Sequence, residues 1–384
     1  MTKILAPILL TLVLTACGGG GGGGSSPASP QVTSALRLVA TQQNTNTVYN
    51  TAVGDLNGDG REDVVVSGWF YNSATSYIWL FTQNADGTMT DSTLTLLPAN
   101  THQGSQHVFV ADFDNDGRND IFLAGFIDGN AIQPAHSTML WGNANGAFTE
   151  YVFPETTMAH GACIDDVDHD GDLDMIVAGG GIYFNQGSKN FTLDSSILQG
   201  NNYFSACAVT HQADGSVNIL LGNNNAVNGY RDNINVYNSA MVFQNAIGFA
   251  NGPGDLIDAV AVDVNGDGAK DLLTVYNSNA ARQVWYNTGI NNYTYQTTLD
   301  TQGNDYYTQL TVVNNATTVL FPGNATGTRM YRINNGMTVY HADAFTDMAA
   351  GRSAQAAAVY RNTSTNQIFM LQLLDNSFYT KEIQ

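Results

Sequence analysis

Basic side chains are scarce in this chain of 384 residues: 13 Lys and Arg stand against 33 Asp and Glu, for a formal net charge of −20. No basic cluster offsets that balance, which argues against nucleic acids and anionic membrane surfaces as partners. Charge of either sign makes up only 12% of the sequence, yet hydrophobic residues reach 43% and aromatics 10%. That composition can build a packed core and is not that of a disordered chain. Cysteine occurs only as Cys17, Cys163 and Cys207, which excludes a disulfide scaffold. No helical periodicity of useful length is present, and after the N-terminus no apolar run is long enough to cross a bilayer. There is no G-x-S-x-G elbow, no H-E-x-x-H, no P-loop and no dinucleotide fingerprint. Glutamate is confined to Glu62, Glu150, Glu155 and Glu382, and nearly all paired aspartates belong to the loops described below. Few carboxylate pairs are therefore left for general acid/base work.

What is present begins with an export segment. Lys3 precedes an apolar stretch from Ile4 to Thr15, the length of a signal-peptide core and too short for a membrane span. It ends in Leu14-Thr15-Ala16-Cys17, which resembles the lipobox of bacterial lipoproteins. The resemblance implies removal of residues 1–16, diacylation of Cys17 and a mature chain beginning there. Gly18 to Gly24 and then Ser25-Ser26-Pro27-Ala28-Ser29-Pro30 cannot bury a core, so residues 17–31 read as a flexible tether. Gly18 rather than Asp after the cysteine resembles the pattern for outer-membrane sorting. The expectation is a lipid-anchored protein of the cell envelope whose folded region is 32–384.

Across 32–384 a single unit recurs: a short strand, an Asp-rich loop, an apolar strand, and a hairpin of two more strands. The second strands are Val64-Val65-Val66-Ser67-Gly68, Ile121-Phe122-Leu123-Ala124-Gly125, Met175-Ile176-Val177-Ala178-Gly179 and Leu272-Leu273-Thr274-Val275. Ile219-Leu220-Leu221-Gly222 and Val319-Leu320-Phe321 take the same place without an intact loop. Continuous apolar runs suit strands buried on both faces. Closing hairpins carry Asn and Gly at Asn84 to Gly87, Asn143 to Gly146, Asn185 to Gly187, Asn287 to Gly289 and Asn334 to Gly336, residues that accept positive φ. Units start near residues 45, 100, 156, 200, 255, 303 and 351, a period of about 50, the scale of four-stranded propeller blades. The predicted fold is all-β, a seven-bladed β-propeller of four-stranded antiparallel blades. The last unit lacks a strand, while Ala35-Leu36-Arg37-Leu38-Val39 belongs to no unit. The N-terminal strand is therefore expected to complete the last blade.

Four loops read Asp-x-Asp/Asn-x-Asp-Gly-x-x-Asp: Asp55 to Asp63, Asp112 to Asp120, Asp166 to Asp174 and Asp263 to Asp271. Crowding carboxylates into nine residues is unfavourable unless a hard cation neutralises them. Oxygen ligands at alternate positions, with Gly at the sixth, point to Ca²⁺ at about four sites. The candidate side-chain ligands are Asp55, Asn57, Asp59 and Asp63; Asp112, Asp114, Asp116 and Asp120; Asp166, Asp168, Asp170 and Asp174; Asp263, Asn265, Asp267 and Asp271. The seventh positions, Arg61, Arg118, Asp172 and Ala269, would give backbone carbonyls. An EF-hand needs a bidentate Glu at position 12, where this chain has Val66, Leu123, Val177 and Thr274. The sites are therefore of strand–loop–strand type.

Val53-Gly54-Asp55-Leu56-Asn57-Gly58-Asp59-Gly60 with Asp63-Val64-Val65-Val66 resembles the FG-GAP/VCBS repeat, the blade of integrin α-subunit heads and many bacterial surface proteins. His160-Gly161-Ala162 before the third loop looks like a recurring element of that family. Thr210 to Asn218 keeps only Asp214-Gly215, and the units near Asn314 and Asn362 have lost the acidic ligands, so no metal is expected there. The resemblance implies a binding or adhesion module whose propeller loops take a protein or glycan. A polysaccharide-acting enzyme, lyase-like, and a scaffold subunit of an envelope complex are the alternatives. His102, His107 and His160 precede inner strands and form a possible ligand face, although histidines so placed more often hydrogen-bond between blades. Cys163 and Cys207 occupy equivalent positions in successive units and are expected as buried free thiols, with a disulfide as the alternative. Trp79, Trp141 and Trp285 fall on third strands and are expected in blade cores.

Overall fold

The computed structural model describes residues 37–41, 47–70, 75–103, 105–126, 135–157, 159–178, 180–195, 204–223, 233–247, 256–276, 282–300, 309–313, 316–321, 329–333, 354–374 and 377–383. The export segment, Cys17, the tether and the turn at Asn334 to Gly336 lie outside the described residues.

After β1 (Arg37–Thr41) the strands gather into antiparallel sheets in chain order. Sheet 1 holds β2 (Thr47–Gly54), β3 (Asp63–Phe70), β4 (Thr75–Gln83) and β5 (Met89–Asp91). A short helix α1 (Thr93–Leu96) follows, and then β6 (Thr101–Gln103), which pairs with β4. Neither α1 nor β6 is foreseen by the repeat pattern. Sheet 2 holds β7 (Ser105–Ala111), β8 (Asp120–Gly125), β9 (Ala135–Gly142) and β10 (Phe148–Thr157). Sheet 3 holds β11 (Ala162–Asp165), β12 (Asp174–Val177), β13 (Gly181–Asn185) and β14 (Phe191–Asp194). Sheet 4 is β15 (Phe204–His211), β16 (Val217–Asn223), β17 (Asn233–Asn238) and β18 (Phe243–Ile247). Sheet 5 is β19 (Leu256–Val262), β20 (Asp271–Tyr276), β21 (Arg282–Gly289) and β22 (Asn292–Asp300). Sheet 6 has three described strands, β23 (Gln309–Val313), β24 (Ala316–Phe321) and β25 (Arg329–Ile333). Sheet 7 comprises β26 (Ala354–Arg361), β27 (Ile368–Leu374) and β28 (Ser377–Ile383), and its fourth strand is β1. Arg37 stands opposite Thr380 and Thr41 opposite Ser377, with a bulge between Leu38 and Ala40.

The second strands explain why the sheets stack. Side chains alternate across a strand, so a wholly apolar run buries both faces. Val64 and Val66 join a cluster with Tyr360, Leu371 and Phe378 of sheet 7, whereas Val65 joins one with Ile121 and Leu123 of sheet 2. On β8 the next residues in line, Phe122 and Ala124, pack with Met175 and Val177 of sheet 3. Ile176 and Ala178 then meet Ile219 and Leu221 of sheet 4, whose Leu220 turns to Leu272 of sheet 5. The core is thus a series of layers between neighbouring sheets. At roughly 25 cal/mol per Å² of apolar area, these layers dominate the driving force for folding. Trp141 and Trp285 are buried within them and Trp79 packs against one, as expected of third strands. The first strands β2, β7, β11, β15 and β19 line one cavity of about 360 Å³, with Thr51, His107, Asp165, Cys207, Asp258 and Lys270 on its wall.

Candidate functional site

Each acidic loop joins the first and second strands of its sheet, and the loops take the sheet numbers 1, 2, 3 and 5. All four share one backbone path. The sixth residue is left-handed in every case, with φ of 82° at Gly60, 86° at Gly117, 96° at Gly171 and 89° at Gly268. The fourth residue is left-handed too: Gly58 (79°), Asn115 (57°), His169 (64°) and Gly266 (79°). Asn tolerates this region and a His there is less common, so the shared path is a property of the loop and not of glycine alone.

The coil aims its amides at the carboxylates. The first Asp accepts from the sixth residue's N–H, at 2.8 Å for Asp55 and Asp112, 3.1 Å for Asp166 and 2.9 Å for Asp263. The third side chain accepts from the fifth N–H at 2.9, 3.2, 3.3 and 2.8 Å in the four loops. The fifth accepts from the seventh at 2.9, 3.0, 2.9 and 2.8 Å. One oxygen of each side chain is thereby held, and the set is oriented before any ligand arrives. In loop 2 one oxygen each of Asp112, Asp114 and Asp116 lie within 4.8 Å of one another; in loop 3 the same is true of Asp166, Asp168 and Asp174. Oxygen ligands of calcium sit at about 2.3–2.6 Å, so a shell of them spans about 5 Å, and the donors are all hard oxygens. The two groups fit such an ion. In loops 1 and 5 the third position is Asn57 or Asn265, and no group of three carboxylates converges there among the described residues.

The ninth aspartate has a further task. Asp63, Asp120, Asp174 and Asp271 are fully buried, and both oxygens of each are occupied. One accepts the N–H of the loop's second residue, Leu56, Phe113, Val167 or Val264, at 2.9–3.0 Å. The other accepts the N–H at the third strand's end, from Gln83, Gly142, Asn185 or Asn287, at 2.8–2.9 Å. It therefore latches the loop to the sheet. Burial pushes the Asp63 and Asp120 carboxyls up to about 7 and that of Asp174 to about 6, against the lowering pull of those amides. Asp271 is raised for the same reason.

Loops also reach between sheets, which the sequence did not reveal. Asn119 donates to the Asp55 carbonyl at 3.0 Å, and Glu62 accepts the Arg361 N–H at 2.6 Å. Asn185 donates to the Phe113 carbonyl at 2.7 Å. Lys270 of loop 5 meets Asp165 at 3.3 Å, and His211 of sheet 4 meets the same carboxylate at 2.7 Å.

The three histidines of the expected ligand face do not form one site. His102 is buried, with Nδ1 2.8 Å from Glu150 of sheet 2 and Nε2 3.0 Å from the carbonyl of Ala99 just before β6, so both nitrogens serve local packing. His107 does line the cavity between the first strands; its Nε2–H donates to the His160 carbonyl at 2.9 Å, and burial holds it down at about 4. The His160 ring packs edge-on against Phe126. The cysteines also depart from expectation: Cys163 and Cys207 form a disulfide, with Cα atoms 5.4 Å apart. Their inner strands β11 and β15 lie side by side, which brings equivalent positions of successive units within bonding reach.

Residues 55–123 match the FG-GAP-like repeat, a span that runs from the first acidic loop through the second and into β8. Over this segment the chain is similar to the FG-GAP family. None of the curated proteins matches the chain. Among solved structures it is similar to a chain of the crystal structure of BBS1N in complex with ARL6DN, soaked with mercury, a β-propeller-type protein. The TM-score is 0.52 at 13% identity, over 92% of this chain and 96% of that one. At that identity the likeness concerns the fold: all-β, with antiparallel sheets in a propeller-type arrangement.

Proposed function

We propose that the chain is a lipid-anchored binding protein of the cell envelope: a seven-bladed propeller, residues 32–384, whose loops hold calcium and whose surface takes a protein ligand. The observation that carries the calcium reading is the amide-held ligand set, recurring on one backbone path in four loops and closing to within 4.8 Å in two of them. Calcium, when bound, supplies charge neutralisation and no redox or acid/base chemistry; this chain's residues orient the oxygens. The ring is supported by five first strands that share one cavity and by β1 completing sheet 7. A binding or scaffold role follows from the propeller-type fold, by analogy.

Two observations favour a protein over a glycan as ligand. The tryptophans at 141 and 285, which could stack on sugars, are buried. Exposed large apolar side chains instead include Val242 and Phe243 on sheet 4 and Ile290 and Tyr295 on sheet 5, neighbours joined by an Asn245–Asn291 hydrogen bond of 3.2 Å. Such side chains on adjoining outer strands suit protein contact. The anchor rests on Leu14-Thr15-Ala16-Cys17 and the glycine run after it.

Titrating calcium into chelator-stripped protein, with melting followed in parallel, tests the central reading. Binding heat with a melting point raised by several degrees is expected. Identical melting with and without the ion overturns it. Crosslinking on intact cells from position 243 should trap a protein, and a Cys17→Ala chain should leave the membrane fraction.

A further inference from the structure

Loops 2 and 3 share a ligand pattern but differ in what stands beside it. The hairpin turn of sheet 3 presents Ser188 and Lys189 in left-handed conformations, φ 54° and 65°. Lys189 leans on the face of Trp141, with its Nζ 4.7 Å from the ring centre, and contacts Asp114 of loop 2 at 2.9 Å. The Asp114 side chain is only 4% exposed, and it is one of the three converging oxygens. Arg118 adds a second cation against Asp116. At loop 3 the corresponding place belongs to the turn of sheet 4, where Met241, left-handed at φ 54°, takes the position of Lys189 after Ser239 and Ala240. An open cavity of about 440 Å³ lies there, with Asp168, Gln186 and Ser239 on its wall. Among the described residues no Lys or Arg pairs with any carboxylate of Asp166, Asp168, Asp170, Asp172 or Asp174.

We propose that Lys189 is a resident counter-ion of loop 2, competing with a divalent cation for Asp114, and that loop 3, which has none, fills first. The inference rests on the calcium reading above and adds an order to it. A lysine ammonium within hydrogen-bond reach of a nearly buried carboxylate lowers the repulsion that otherwise draws in a metal. To bind, a divalent ion must displace it. Loop 3 has five aspartates and, among the described residues, no Lys or Arg on them, so beyond its amide donors a bound ion is what would relieve its charge. The propeller's cation sites are then graded, one kept in place when calcium is low and one committed to it.

The test is calorimetric titration of chelator-stripped full chain with calcium, for the wild type, Lys189→Met, Lys189→Arg and Asp168→Asn. Lys189 is 42% exposed in a turn, so its variants should fold, and circular dichroism checks this. Asp168→Asn, which gives loop 3 the third residue of loops 1 and 5, should weaken the tightest step. Lys189→Met should tighten a weaker step by about two- to fivefold, the scale of an ion pair with one exposed partner, while Lys189→Arg keeps the wild-type value. Unchanged or weakened binding in Lys189→Met overturns the counter-ion, and a tightest step left unweakened by Asp168→Asn overturns the order. If the wild type takes up no calcium in any step, the calcium reading fails and this one with it; binding in the wrong order sinks this one alone.

Discussion

Asp120 shows how much one side chain can do in a repeat. Both of its oxygens receive backbone amides, from Phe113 in the loop and Gly142 at the end of β9. An asparagine there turns an NH₂ toward one of those donors and leaves it unsatisfied in a buried site. Asp120→Asn should cost about 2 kcal/mol in denaturant unfolding, far more than Asp116→Asn on the exposed rim without calcium. His107 sets an acid limit. Burial holds it near 4, whereas an unfolded chain titrates near 6.5, so the folded state binds fewer protons between those values. Its contribution is complete above about pH 6.5 and is lost as pH falls towards 4, on the order of 3 kcal/mol in all. His107→Gln, which can still donate to the His160 carbonyl, should flatten that limb of the stability–pH curve. The motif made Asp120 visible as an acidic position, but its role as a latch depends on a partner 22 residues away, across a hairpin whose register no local pattern states.

At the level of strands and loops, most of the pattern can be read directly. Apolar runs such as Val64 to Val66 alternate between two interfaces because successive side chains point opposite ways, which follows from the strand period alone. What stays hidden is distance between units. Cys163 and Cys207 are separated by 44 residues, and only the side-by-side placement of β11 and β15 makes the bond. Sheet 4 lacks an acidic loop, so this bond ties a unit without such a loop to one that has it. Cys207→Ser should lower stability by about 2–4 kcal/mol, read as a shift in the urea midpoint under oxidising conditions that vanishes under reductant. Gly161 belongs to the same seam: a Cβ there would lie 2.7 Å from the Ala206 backbone. Gly161→Val should cost about 1–3 kcal/mol or more by forcing the two strands apart. The helix α1 and strand β6 had no signal, because four and three residues are too few to show a period.

For the molecule as a whole, the pairing of β1 with β28 decides how the sheets end. Without residues 32–41, the outer edge of β28 is a row of unpaired amides and carbonyls. That truncation should lower the melting temperature and produce concentration-dependent association in light scattering, and a β1 peptide supplied in trans should reverse both. The all-β class and the repeat were legible from composition and spacing. The stacking partners, the inter-sheet bonds at Asn119 and Asn185 and the cavity were not, since each joins residues about 50 or more apart.

The same pairing sets the start of β1 beside the end of β28. Arg37 faces Thr380, only a few residues from the end of β28 at Ile383, so the two ends sit side by side on one rim. A short bridge could join them and new ends be cut at an exposed turn tip such as Ala144 and Asn145, yielding a circular permutant with the same sheets. By the same geometry the unit could be spliced into a surface loop of another protein without stretching its host.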